Sequence, residues 1–113
     1  MRLLKGLFLD GRKVEVLTIK KSLDEYYKLL NCHTIDIVSR DVNGVSYDII
    51  CDDEGLFKDE IVITCINTDY EPMLVGSLFV VAFDGKDDIR SLTDEEIENL
   101  QKRIINNSIL MID

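Results

Sequence analysis

The chain alternates apolar and polar residues in short runs, and Gly, Asn and Asp punctuate them. Residues 2–9 alternate loosely and stop at Asp10-Gly11, a pair that tolerates the positive φ of a type I′ turn. Residues 13–19 alternate again, with Val14, Val16 and Thr18 on one face, so a β-hairpin is predicted over 2–19. Ser22-Leu23-Asp24-Glu25 has the form of a capping box, and Leu23, Tyr26, Tyr27 and Leu30 follow at helical spacing. The pattern predicts a helix over 23–31, stopped at Asn31. A second hairpin is predicted from 34–40 and 45–51, turned at Asn43-Gly44. Residues 56–72 carry the weakest pattern: 61–66 reads as a strand or an ordered loop segment, and 69–72 as a turn. Residues 73–83 form the most hydrophobic run and read as one central strand covered on both faces, closed by Asp84-Gly85. A second capping box, Thr93 with Glu96, opens a helix over 94–105 whose buried stripe is Ile97, Leu100, Ile104 and Ile105. Lys102 and Arg103 suit its C-terminal end. Residues 108–112 form a closing strand or a tail.

The order ββαββ(β)βα does not place helices between parallel strands. It predicts an α+β fold: a mainly antiparallel, twisted sheet of five to six strands with two helices on one face. The 113 residues suit a single domain over 1–113, large enough to bury a core without metal or disulfide staples.

Composition narrows the setting. Hydrophobic residues make up 46% of the chain, enough to fold. The apolar run at 73–83 falls short of the roughly 20 residues that span a membrane. The start of the chain lacks the apolar core of a secretion signal, so a cytoplasmic location is expected. Cys32, Cys51 and Cys65 are odd in number and lack C-x-x-C spacing, which argues for reduced core thiols and against a disulfide framework or a metal site. Thirteen basic and 22 acidic residues give a net charge of −9. The balance is +1 over residues 1–51 (8 basic, 7 acidic) and −10 over residues 52–113 (5 basic, 15 acidic). Such a chain repels nucleic acid and anionic membranes, and is attracted to a basic protein surface.

The segments LDEYYKLLN at 23–31, TIDIVSR at 34–40, YDIICDDEGLFKD at 47–59, MLVGSLFVV at 73–81 and SLTDEEIE at 91–98 are together distinctive. The chain resembles, over roughly residues 2–104, a domain-of-unknown-function family of small proteins found mostly on phages, plasmids and conjugative elements of bacteria. The resemblance implies a mobile-element setting in a bacterial cytoplasm and a shared scaffold. It carries no activity, cofactor or catalytic residue. Many members have a Gly-Gly before the corresponding strand where this chain has Cys32-His33, so the resemblance implies no shared role for that pair.

Candidate chemistry is sparse. Cys32 and His33 are the one Cys/His pair, but neighbours on a strand point to opposite faces, and a helix-to-strand junction accounts for them. Asp52-Asp53-Glu54-Gly55 is acidic enough for a hard cation yet lacks the ligand spacing of a calcium loop; an exposed acidic turn accounts for it. Gly76 marks a bulge or a close backbone approach. Tyr26, Tyr27 and Tyr47 suit core or rim positions. No phosphate-binding, dinucleotide or nucleophile-elbow motif occurs. No catalytic residue, metal ligand or cofactor is therefore expected.

The leading expectation is a non-enzymatic, acidic protein-binding accessory factor of a mobile genetic element, inhibiting a host protein by covering its basic surface. The candidate partner-binding residues are Asp52, Asp53, Glu54, Asp84, Asp87, Asp88, Asp94 and Glu95, which form one patch if the turns that hold them share a side. A surface that only keeps the protein dissolved accounts for the same residues. The alternative is a small-molecule or nucleotide-sequestering protein, with Lys20, Lys21, Arg40 and Arg90 as candidate phosphate contacts. Partner identity and oligomeric state are not encoded in any motif.

Overall fold

The structure is a computed structural model and describes residues 2–55, 60–85 and 88–113. The elements are β1 (Leu3–Leu9), β2 (Val14–Lys20), α1 (Leu23–Leu30), β3 (Ile35–Val42), β4 (Val45–Asp52), β5 (Ile63–Ile66), β6 (Pro72–Val75), β7 (Leu78–Phe83), β8 (Ile89–Arg90), α2 (Asp94–Gln101), β9 (Ile104–Ile105) and β10 (Ile109–Met111). Two helices and a mainly antiparallel main sheet place the chain in the α+β class. The main sheet has the order β2-β1-β7-β4-β3, with β8 added to β7. A second sheet, β6-β5-β10-β9, contains one parallel pair, β5 with β10.

Both hairpins form, but only the second has a two-residue turn. Leu9 is opposite Val14, so the first closes through a four-residue loop, 10–13, in which Gly11 alone has positive φ, and not through the type I′ turn expected at Asp10-Gly11. The Asp10 carboxylate accepts from the Arg12 and Lys13 backbone N–H groups at 2.9 and 3.0 Å. Asn43 and Gly44 adopt φ of 52° and 76°, and their tight turn sets Val42 opposite Val45. Helix α1 starts at Ser22, whose Oγ accepts from the Glu25 N–H at 3.3 Å. The Ser22 N–H donates to the Lys20 carbonyl at 3.0 Å, so the capping box read in the sequence is only half made here. Asn31 ends α1 at φ 50°, as its position suggests. At α2 the capping box is complete.

Three expectations are corrected. Residues 73–83 do not form one strand. Gly76, at φ 77°, turns the chain so that Pro72–Val75 joins the second sheet and Leu78–Phe83 the first. Its N–H donates to the Val62 carbonyl and its carbonyl accepts from Thr64 Oγ1, both at 2.7 Å, which pins the corner. The last helix stops at Gln101, and Ile104 and Ile105 belong to β9, so Lys102 and Arg103 lie beyond its last turn. The helices also pack on opposite faces of the main sheet.

The alternation along the strands decides that arrangement. Leu4, Phe8, Ile50, Phe79 and Val81 face α1 and pack with its Tyr26 and Leu30. Gly6 is obligatory on this face: a Cβ there would meet the Phe79 ring at 2.6 Å and the Val80 carbonyl at 2.7 Å. Leu7, Leu9, Tyr47, Ile49, Leu78 and Val80 face the other way, onto Ile97 and Leu100 of α2 and Cys65 and Leu110 of the second sheet. The fold is thus a layer holding α1, the main sheet, and a layer holding α2 and the small sheet. β7, at the centre, is covered on both faces as expected. Among the described residues no helix is long and apolar enough to cross a membrane.

Candidate functional site

One outer strand of each sheet, β3 of the main sheet and β6 of the second, opens onto a cleft of about 340 Å³. Even-numbered side chains of β3 face it, because Val38 belongs to the core between the layers. Val38, Cys51, Met73, Leu74 and Val75 supply apolar wall, and Asp36, Asp52 and Asp53 also line it. Gly55 also lines it; a Cβ at that position would stand 3.3 Å from Val75 Cγ2, so glycine lets β6 come close. Among the described lining residues there is no Lys or Arg.

The sequence-derived acidic candidates separate into two groups. Asp52, Asp53 and Glu54 sit at the end of β4, beside the start of β3. Asp84 and Asp88 follow the far end of β7, next to the start of β4, because Tyr47 is opposite Ala82 and Cys51 opposite Leu78. At about 3.3 Å per residue the two groups are roughly 20 Å apart along the strands. Asp94 and Glu95 open α2 on the β7-end side, since Leu92 N–H donates to the Lys5 carbonyl. A single patch is therefore not formed. Asp87 lies outside the described residues.

Burial and pairing change what these carboxylates offer. Asp52 is a strand residue at 9% exposure, where an exposed turn was expected, and it accepts from the Glu54 N–H at 2.9 Å. Asp88 is bound to Lys21 Nζ at 2.6 Å, and that bond with the Ile89 N–H holds its carboxyl below the ordinary range. Asp94 meets Lys5 at 3.2 Å. Asp53, Glu54, Asp84 and Glu95 are exposed.

A second groove, about 530 Å³, lies on the α1 face between Lys21, Ile37, Ser39, Asp48, Phe83 and Ile89. Below it, Arg2, Lys21 and Arg90 line a cavity of about 310 Å³ with Asp84 and Asp88. Of the proposed phosphate contacts, Lys21 and Arg90 meet there, each tied to a carboxylate: Lys21 to Asp88, and Arg90 to Glu96 at 3.2 Å.

Cys51 and Cys65 are buried in the core, and Cys32 is half-buried on the α1-to-β3 link. Burial, then the nearby Asp36 carboxylate, pushes the Cys51 thiol up to about 11, and burial pushes Cys65 to about 12. Both stay protonated at neutral pH and behave as core residues. His33 is exposed on the link before β3. Tyr26 and Tyr47 are core, and Tyr27 is half-buried.

Sequence reasoning missed Asp36, Val38 and the β6 wall of the cleft. Asp36 and Val38 share a strand face, which alternation does reveal. The β6 wall was hidden because it lay inside the run read as one strand.

No curated protein and no solved structure matches the chain. The family model of a domain of unknown function, DUF3846, matches residues 4–105, and the chain belongs to that family.

Proposed function

We propose that the protein is a non-enzymatic binding protein that takes a basic segment of a partner protein at the cleft between its two sheets. One observation carries the reading. Asp36 and Asp53 stand on a cleft with apolar wall from Val38, Met73, Leu74 and Val75 and no Lys or Arg among its described lining residues; Arg40, the next residue on that face of β3, is turned to its own Ser39 carbonyl. Such a site suits an Arg or Lys side chain, whose aliphatic stem packs on Val38 and Leu74 while its head meets carboxylate. The excess charge of residues 52–113 supports it by steering a basic partner inward. The setting proposed is a bacterial cytoplasm, in the service of a mobile genetic element, where covering a host protein's basic surface inhibits that protein. This part rests on the resemblance stated above.

The test is binding of a fluorescent arginine-rich peptide, read by anisotropy at several salt concentrations. Asp53→Lys/Glu54→Lys should weaken binding at least about tenfold, the equivalent of 1.4 kcal/mol. Asp24→Lys/Glu25→Lys makes the same change in net charge on the first turn of α1, away from the cleft, and should weaken it far less. Equal weakening by both pairs would reduce the acidic surface to a solubility device.

A second reading, a small-molecule or nucleotide-sequestering protein, is favoured by the approach of Arg2, Lys21 and Arg90 around one cavity. A phosphate there must displace Asp88 from Lys21 and Glu96 from Arg90. Titration with a nucleoside diphosphate, followed at the amides of 88–91, separates the two readings.

A further inference from the structure

The free edge of β3 is the longest outer strand segment beside the cleft. Its register fixes which backbone groups face outward. The Asn43-Gly44 turn makes Val42 and Val45 a hydrogen-bonded pair, so even-numbered residues of β3 bond to β4 and odd-numbered ones point away. The structure agrees. The outward Asp41 carbonyl accepts from Asp113 N–H at 2.8 Å, the Ile37 N–H donates to Asp36 Oδ1 at 2.9 Å, and the Ser39 carbonyl accepts from Arg40 Nη1 at 2.9 Å. Between Ile35 and Asp41, among the described residues, no strand pairs with this edge.

The sequence of the edge is complementary to itself. Around Val38 the order is Asp36, Ile37, Val38, Ser39, Arg40. We propose that β3 pairs antiparallel with β3 of a second copy, about a two-fold axis through Val38. An axis perpendicular to the sheet preserves its faces, so each side chain keeps the face it has now. Val38 then meets Val38 of the second copy on the cleft face, and Asp36 stands opposite Arg40 of the second copy at both ends. Both are non-hydrogen-bonded pairs, in which side chains approach most closely. Ile37 and Ser39 of opposite copies exchange their N–H and carbonyl groups. On the other face Ile37, 43% exposed in the single copy, gains its counterpart as a diagonal neighbour.

Asp36 and Arg40 therefore have two states. In the single copy each folds over its own backbone edge, a common way to blunt a free strand. In the pair they release the Ile37 N–H and Ser39 carbonyl to each other and meet across the axis. The charge of −9 on each copy opposes association at long range, so pairing is favoured where salt screens that repulsion and leaves the adjacent ion pairs intact. Bonds from Asp113 at Asp41 limit the ladder to its central residues, so the pair is weak and concentration-dependent.

Sedimentation equilibrium of the full chain at about 0.15 M salt, from micromolar to near-millimolar concentration, tests this. The expected result is a monomer–dimer equilibrium that Arg40→Glu and Asp36→Arg each abolish, and that Asp36→Arg/Arg40→Asp restores. Ser39→Pro removes an outward N–H while leaving the backbone ladder to β4 intact, at the loss of the Ser39 Oγ bond to Asp48, and should also leave a monomer; Ser39→Ala, which loses only that side-chain bond, should still pair. Far-UV circular dichroism identifies any variant that has merely unfolded. A wild type that stays monomeric throughout overturns the proposal. So does a dimer that survives Arg40→Glu or Ser39→Pro, or a folded charge-swap variant that fails to pair. No peptide is present, so the outcome is independent of the cleft's proposed ligand.

Discussion

Asn99 of α2 donates a 2.8 Å hydrogen bond to the hydroxyl of Tyr47, which is fully buried on β4. The same amide donates to the Val42 carbonyl at 3.0 Å, and Tyr47 donates to the Glu96 carbonyl at 3.2 Å. Burial and the Glu96 charge raise the phenol above its ordinary range, against the lowering effect of Asn99, so it remains a donor at any physiological pH. This network joins α2 to the second hairpin, and Asn43 extends it by donating to Asn99 Oδ1 at 3.0 Å.

Asn99→Ala should destabilise the fold by about 1–3 kcal/mol, because it removes one of the two hydrogen bonds of the buried Tyr47 hydroxyl together with the bond to the Val42 carbonyl. Tyr47→Phe should cost less, about 1 kcal/mol, since the Asn99 amide keeps its bond to the Val42 carbonyl and the Glu96 carbonyl lies within α2. Urea denaturation of both single variants and the double variant should show coupling of about 0.5–3 kcal/mol. Additive effects would mean the hydrogen bond contributes nothing.

Leu100→Ala should cost about 2–5 kcal/mol, since Leu100 is fully buried between α2 and the main sheet. A thermal melt unchanged by the substitution would contradict the packing of α2.

Gly6→Ala and Gly76→Ala should both destabilise, for different reasons. At Gly6 the new methyl strikes Phe79 and a backbone carbonyl, an overpacking cost of about 1–3 kcal/mol. At Gly76 there is open space, and the cost of about 1–2 kcal/mol comes from holding φ at 77°. Adding Phe79→Leu should relieve the first variant and leave the second unchanged, as read by urea midpoints.

Acid should loosen the second hairpin. The Gly44 N–H, with the Asn43 N–H and Arg103, holds the Asp113 carboxyl below its ordinary value, against the opposing effect of burial. A depressed folded pKa contributes stability above the unfolded value, near pH 3.9, and that contribution disappears as pH falls through the folded pKa. Wild type should therefore lose stability below about pH 4 more steeply than Asp113→Asn. Parallel curves of unfolding midpoint against pH would rule out this role.

Cys51 and Cys65 should resist alkylation in the native protein at pH 8 and react fully in denaturant, because burial keeps both thiols protonated. Peptide mapping by mass spectrometry after brief iodoacetamide treatment reads the result at each position. Rapid native labelling of either would show that the core between the layers opens.

Local chemistry was legible in the amino-acid order. Asp10-Gly11 and Asn43-Gly44 place both hairpins, Ser22 and Thr93 place both helix starts, and Asn31 ends the first helix. Each outcome depends on backbone groups within about four residues, so the deciding atoms lie in the local sequence. The acidic excess and the apolar character of the run 73–83 were visible for the same reason, they are sums over residues, although two-sided burial holds only for its second part, 78–83.

Long-range contacts decided the rest. Residues 73–83 carry no alternation to show a break, and only the approach of Val62 and Thr64 to Gly76 makes that glycine a corner between sheets. Ile104 continues a helical stripe in sequence, yet it pairs with Leu110 in a strand. The faces taken by α1 and α2 depend on which strands lie side by side, and no local pattern records that β1 and β4 both flank β7. The same neighbour relations bury Asp52, separate Asp53 from Asp84, and bring Asp36 across from Leu74. The physical reason is common to all of them: strand pairing and layer packing are settled by complementary surfaces far apart in the chain, while caps and turns are settled within it.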